Sequence, residues 1–377
     1  MCPPVFRACK DPFKGDHVRY AIRGLLAALT VLMLSLALRA DDEQTAYEDI
    51  GRTAQAQLTA ESNSQEAINR AVVAQTEKVY AKCEDYLKRF PEGAHHAEVR
   101  LVHAEAMLLL ASNMEAHRAL LDRVPATVAP VLAAKTLPER TLRARLALLR
   151  YNLGKQGLAK TPEEGKPFEA DAIKQAEAIV AESPTHAVIP QVLGYLSGAY
   201  EHAGRPAESA AVRERLAKEF PETQPGQMAV REIKQRALKG TTMALTFTST
   251  TGEDVNLKDY RGKVVVIEFW ASWCPPCRAG MPFIVRMAKD LREKGLRMIG
   301  ISLDQDKAAL DAYMKEQGMT WPQYFDGKVF KTAFADRFSL IGVPTTYLFD
   351  KSGVLREIGL RDAALETAVK KLLDEPK

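Results

Sequence analysis

No histidine follows residue 202 in this chain of 377 residues, and only three of its five cysteines lie beyond residue 40. A structural zinc site draws four ligands from cysteine and histidine. Residues 241–377 hold two cysteines, no histidine and no second CxxC pair, which excludes such a site. Three cysteines past residue 40 are an odd number and too few for a disulfide-stapled scaffold. Excess charge is lacking as well. The formal net charge is +4, but residues 1–40 hold six of the 52 basic side chains and two of the 48 acidic ones, which leaves 46 of each elsewhere. That balance excludes the basic surface of a nucleic-acid-binding protein. The apolar run LLAALTVLMLSLAL at 25–38 is 14 residues long, short of the roughly 20 that a bilayer-spanning helix takes.

That run follows a basic stretch and gives way to Leu38-Arg39-Ala40 and then to three acids, Asp41, Asp42 and Glu43. The pattern fits a signal-peptide core with Ala40 as candidate cleavage site; a retained membrane anchor and a buried helix are the alternatives. Signal and anchor both place everything after Ala40 outside the cytoplasm, because the basic flank stays inside. The expectation is an exported protein, periplasmic or anchored and facing the periplasm. Cys2 and Cys9 then stand apart from the exported part.

From 45 to 239 the sequence is rich in Ala, Leu, Glu and Arg, with apolar residues at helical spacing and no convincing strand. Helices are expected over 97–111, 139–152, 172–182, 188–203 and 206–219. The breaks fall at FPEG (90–93), LGKQG (153–157), TPEEGKPF (161–168), SPTH (183–186) and FPETQPG (220–226). Cys83 lies on the apolar stripe Thr76, Val79, Tyr80, Cys83, Tyr86, Leu87 and Phe90 and reads as a small buried hydrophobe. The stretch LSGAYEHAGRPAESAAVRERLAKEFPE resembles a tetratricopeptide repeat, with Leu196, Ser197, Tyr200, Gly204, Ser209, Leu216 and Pro221 at that family's spacing. An antiparallel helical array follows from this resemblance. Such an array can present a concave surface to a protein or peptide, or serve only as a spacer.

After Gly240 the pattern changes. VVVIEF (264–269) is a short apolar run rich in β-branched residues, as a buried parallel strand should be. A helix is expected from Cys274 to about residue 294, then a strand at 296–302 and helices at 307–317 and 328–338. A strand at 345–350 and a hairpin partner VLREIG follow, with a closing helix at 363–373. Strand, helix, strand, hairpin and helix make an α/β layer structure. The expected division is 1–40 signal or anchor, 45–239 helical array and 241–377 α/β domain.

The α/β part carries WASWCPPC. A peroxidatic cysteine of the peroxiredoxin kind needs a proline seven residues and a Thr or Ser three residues before it. Those places hold Ile267 and Ala271 before Cys274, and Trp270 and Cys274 before Cys277. A redox couple accounts for the placement, with a structural disulfide as the alternative. Cys274 falls at a helix N-terminus, where free N–H groups and the macrodipole favour an anion, so it is the expected exposed nucleophile. Pro275 and Pro276 offer no N–H and suit the first turn; the N–H of Cys277 is left to face the Cys274 sulfur. Cys277, one turn deeper, is placed to attack a mixed disulfide formed at Cys274.

Residues 241–377 resemble the thioredoxin superfamily, and within it the TlpA/ResA-like exported thiol–disulfide oxidoreductases. GEDVNLKDYRGKVVVIEFWASWCPPCRAGMP and FSLIGVPTTYLFDKSG carry the resemblance. It implies a thioredoxin fold with Pro282 as the helix-kinking proline and Pro344 as a cis-proline beside the disulfide. Trp273, Pro275, Pro276 and Val343 become candidate substrate-binding residues. Glu268 stands where thioredoxins keep a buried acid, and its burial would raise its pKa and suit it to take the proton of Cys277; pairing with a nearby Lys or Arg at a wet strand end is the alternative. Two positions depart from the branch: Gly280 stands where relatives commonly have a glutamate, and Glu268 where they often have a neutral residue. The implied activity is reduction of protein disulfides without a cofactor or metal, with an upstream thiol donor restoring the dithiol. A scaffold protein acting through the helical array, and a disulfide isomerase, are the rival readings.

Overall fold

The computed structural model describes residues 42–58, 64–134 and 137–376. The export segment at residues 1–40, with Cys2, Cys9 and the apolar run 25–38, lies outside them. Among the described residues no helix is long and apolar enough to cross a membrane.

The chain divides by its contacts into two compact units that meet between Val192 and Leu193. The first contains α1 (Asp42–Gln55), α2 (Gln65–Arg89), α3 (His96–Asn113), a 3₁₀ segment (Glu115–Arg123), α4 (Val124–Ala133), α5 (Pro138–Leu158) and α6 (Pro162–Glu182). Ser64 caps α2 by accepting from the Ala67 N–H at 3.2 Å, and Thr161 caps α6 by accepting from the Glu164 N–H at 3.3 Å. Glu164 in turn accepts from the Lys160 N–H, so both ends of that turn are satisfied. Two apolar clusters hold the unit. One gathers Ile50, Val79, Cys83, Tyr86, Val99 and Val102, and the other centres on Leu101, Met107, Leu121, Val128 and Ala144. Cys83 is fully buried among them, as its stripe predicts.

Two of the expected breaks are helix. LGKQG lies inside α5, and TPEEGKPF forms the cap and first turns of α6. A glycine costs a helix interior about 1 kcal/mol, and burial of Leu142, Ala144, Ala147 and Leu149 along α5 outweighs it. Pro162 occupies the first helical position, where its missing N–H costs nothing.

The second unit begins within α7 (Ile189–His202) and continues through α8 (Pro206–Glu219) and α9 (Gln224–Ala237) into the sheet. Arg213 of α8 is buried at 4% exposure, donates to Ser197 and Ser209, and pairs with Glu201 at 3.3 Å. Removing one partner of a buried ion pair strands the other. Because Glu201 is half exposed, Arg213→Ala should cost about 2 kcal/mol rather than the larger values of fully buried pairs, read as a lower urea midpoint.

A hairpin of β1 (Thr246–Thr248) and β2 (Asp254–Asn256) precedes the main sheet, which has the order β5-β4-β3-β6-β7. Its strands are β3 (Val264–Trp270), β4 (Leu296–Ser302), β5 (Gln323–Tyr324), β6 (Thr345–Phe349) and β7 (Leu355–Ile358). β3 runs parallel to β4 and antiparallel to β6, and β6 antiparallel to β7. Every residue of β3 is buried, because helices cover the sheet. α10 (Pro275–Leu291), α11 (Lys307–Gln317) and α13 (Asp362–Asp374) contribute Met281, Met287, Leu310, Leu365 and Val369 to that core. The C-terminal part is a mixed-sheet thioredoxin fold preceded by many helices, as expected. The helix expected at 328–338 is instead a 3₁₀ turn at Val329–Lys331 and the short α12 (Ala333–Arg337). Thr332 between them is extended (φ −64°, ψ 144°), which interrupts a continuous helix.

Candidate active site

The strand order puts three chain segments at one end of the sheet: the end of β3, the loop after β4 and the loop before β6. Cys274 is the N-cap of α10, four residues past β3. It is disulfide-bonded to Cys277 with 5.2 Å between Cα atoms. The Cys277 N–H donates to the Cys274 sulfur at 3.2 Å, the contact expected once Pro275 and Pro276 supply no donor. On the other side the Cys274 sulfur lies 3.8 Å from the carbonyl oxygen of Val343, and the Val343–Pro344 peptide is cis.

Cys274 is not the exposed member of the pair in this oxidised state. It retains 3% exposure against 1% for Cys277. Its sulfur is turned into the disulfide and towards the Val343 carbonyl. Exposure belongs to its neighbours: Trp273 at 38%, Pro275 and Pro276. Trp273 donates from its indole N–H to the Leu303 carbonyl at 3.3 Å, which holds the ring at the surface beside the disulfide.

Glu268 lies in the middle of β3, opposite Gly300 of β4 and Thr346 of β6. Burial pushes its carboxyl up to about 8, and the Arg361 guanidinium opposes this weakly. Glu268 is 3% exposed, and no cation pairs with it among the described residues. Its Oε2 has no hydrogen-bond partner. A cavity of about 220 Å³ brings Glu268, Cys277, Gly280, Pro344 and Arg361 together. A Cβ added at Gly280 would meet nothing within 4 Å, so the missing side chain leaves this recess open.

Two residues of the site escaped the sequence reading. Arg361, just before α13, donates to the Pro344 carbonyl at 2.9 Å and so fastens the loop that faces the disulfide. Asp304, two residues past β4, accepts from the Ser272 N–H at 3.1 Å and the Ser272 hydroxyl at 2.6 Å. A polar residue at the end of a buried strand is a weak local signal that gains meaning only when the neighbouring strand is known.

Residues 238–358 match the AhpC/TSA family. This part of the chain is a thioredoxin-fold domain similar to that family. The thiol-disulfide oxidoreductase ResA of Bacillus thuringiensis subsp. konkukian is 33% identical over 114 residues, 29% of this chain and 63% of that protein. ResA of Oceanobacillus iheyensis is 35% identical over 106 residues, covering 28% and 53%. The chain thus spans less than two thirds of the length of these curated relatives. Among solved structures, the thioredoxin domain of a thiol-disulfide oxidoreductase from Bacteroides vulgatus is 26% identical and covers 36% of this chain and 98% of that one, with a TM-score of 0.34.

Proposed function

We propose that the protein is an exported thiol–disulfide oxidoreductase that reduces disulfides in other proteins. One observation carries the reading: a Cys274–Cys277 disulfide at a helix N-terminus, with an unpaired buried carboxyl, Glu268, sharing a cavity with Cys277.

In the reduced protein the Cys274 thiolate attacks one sulfur of a substrate disulfide. The substrate S–S bond breaks, one substrate thiolate leaves, and a mixed disulfide joins Cys274 to the substrate. Glu268, in its carboxylate form, takes the proton of Cys277. The Cys277 thiolate then attacks the Cys274 sulfur, the mixed disulfide breaks and the second substrate thiolate leaves. The substrate has gained two electrons, and the enzyme holds the Cys274–Cys277 disulfide. An upstream dithiol donor returns the two electrons. Trp273, Pro275, Pro276 and Val343 surround the point of attack and would contact the substrate; Pro344 presents the Val343 carbonyl.

Peroxide reduction has no support at the cysteines, because Ala271 supplies no hydroxyl and Ile267 replaces the proline of a peroxidatic motif. The helical first unit, with its own apolar cores, would act as a module for a protein or peptide partner. A Cys274→Ser protein separates the scaffold reading from the enzymatic one, since a scaffold would keep its function.

A buried carboxyl close to the dithiol disfavours a thiolate there once it has lost its proton, and this supports a low potential and the reductase direction. Titration of the full-length protein against glutathione buffers should give a midpoint below about −220 mV. A midpoint near that of strong oxidants, about −120 mV, would overturn the reductase direction.

A further inference from the structure

Asp304 is a buried carboxylate, 2% exposed, with no cation paired to it among the described residues. Its partners are all neutral donors from the two strand ends nearest Cys274. Oδ1 accepts from the Ser272 N–H at 3.1 Å and hydroxyl at 2.6 Å; Oδ2 accepts from the Ser302 hydroxyl at 2.8 Å and lies 3.2 Å from the Ser272 nitrogen. The Asp304 N–H donates back to the Ser302 hydroxyl at 3.0 Å, which closes a tight turn after β4. Adjoining contacts extend the grip. The Leu303 N–H donates to the Trp270 carbonyl at 2.8 Å, and the Trp273 indole donates to the Leu303 carbonyl. Leu303 and Asp304 therefore hold the turn from Trp270 to Trp273, and the next residue is the nucleophile.

We propose that Asp304 is a positioning residue that fixes the turn carrying Cys274 and, through its charge, restrains thiolate formation there. This rests on the exchange chemistry proposed above. The α10 N-terminus draws Cys274 towards the thiolate, and Asp304 pulls the other way. The other charged or titratable groups around the dithiol are Arg278, Glu268, Arg361 and Tyr313. The Arg278 guanidinium is engaged over the Tyr313 ring at 4.8 Å and donates to the Ser272 carbonyl at 3.3 Å. Glu268 and Arg361 border the cavity on the Cys277 side. A thiol at so favourable a helix end would otherwise be a strong leaving group, and that makes an oxidant rather than a reductant. Asp304 is the counterweight.

The size of the effect follows from Coulomb's law. Ser272 is two residues from Cys274, which puts the charge roughly 10 Å from the sulfur by chain spacing. At an effective dielectric near 20, that separation is worth on the order of a tenfold change in thiolate fraction.

The experiment uses the reduced full-length protein and follows alkylation of Cys274 by iodoacetamide against pH, with the site mapped by peptide mass. Asp304→Asn can keep one acceptor towards Ser272 while removing the charge. It should move the alkylation midpoint down by about one pH unit. Ser272→Ala removes a hydrogen bond and keeps the charge; it should lower the melting temperature and leave the midpoint in place. An unmoved midpoint in Asp304→Asn, or an equal shift in Ser272→Ala, overturns the proposal. A measurement on the unmutated chain covers the case where Asp304→Asn does not fold. The carboxyl carbon of Asp304, followed by NMR, should show an inflection at the Cys274 midpoint that vanishes in Cys274→Ser; its absence also overturns the proposal. Disulfide exchange of the wild-type protein with glutathione, run on the same sample, reports separately on the oxidoreductase reading.

Discussion

A Cys277→Ser protein should collect covalent adducts with its substrates through Cys274 and turn over at least roughly a thousandfold more slowly than wild type. The first attack needs only the Cys274 thiolate at the α10 terminus, which the substitution leaves alone. The second needs a sulfur one turn deeper, and serine supplies none. Cys277 lies 5.2 Å from Cys274 between Cα atoms in the same chain, a proximity that an external thiol does not match. Non-reducing gels followed by peptide mapping would show the adducts and identify the substrates. Cys83 is the built-in control. It is fully covered in the first unit, and burial pushes its thiol well above the ordinary range. Adducts spread equally over Cys83 and Cys274 would refute a single reactive site.

Glu268→Gln should slow resolution of the mixed disulfide, leave the attack by Cys274 nearly intact and make the protein more stable above neutral pH. Burial raises the Glu268 carboxyl from 4.5 to about 8. Between those two values the folded protein holds a proton that the unfolded chain has released. Stability is then fully present below about 4.5 and falls as pH rises through about 8. Each pH unit of that window carries about 1.4 kcal/mol, so a neutral glutamine should gain up to about 4 kcal/mol at pH 8. Urea unfolding of the oxidised protein at pH 5 and pH 8 measures this; wild type should lose stability over the interval and the variant should not. The kinetic arm has its own pH signature. Wild-type resolution should quicken as Glu268 loses its proton towards pH 8, and the variant should lack that rise. Parallel pH profiles for the two proteins, in stability and in resolution, would remove Glu268 from the mechanism.

Local chemistry was readable where one segment decides its own fate. VVVIEF announces a buried strand because β-branched residues fill both faces, and CPPC announces a helix start because two prolines fit only there. The strand at Leu296–Ser302 and the helix at Lys307–Gln317 fall where the pattern puts them. Short or context-held elements were not readable. β1 and β2 have three residues each, too few for alternation to register, and are fixed by the pairing of Phe247 with Val255. LGKQG looks like a break until the apolar face of α5 is seen to be buried. Asp304 and Arg361 stand 30 and 87 residues from Cys274 in the sequence, and only strand order brings them to the site. Glu268 was legible as a buried acid, while its lack of a partner depended on what surrounds it.

The hydrogen bond between the side-chain amide of Gln235 on α9 and the Tyr347 hydroxyl, 2.8 Å long, has a practical consequence for dissecting the molecule. Tyr347 lies on β6 one residue from the partner of Glu268, and its hydroxyl also donates to the Phe338 carbonyl at 2.7 Å. Lys239 pairs with Glu357 at 2.6 Å, and the Gly240 N–H donates to the Leu355 carbonyl, so the segment after α9 is laid along β7. A shortened protein that starts at Thr241 would cut all three ties and bare a sheet flank that the native chain keeps covered. An expression clone meant to preserve the redox end of the molecule should therefore begin upstream of α9 and carry that helix with it.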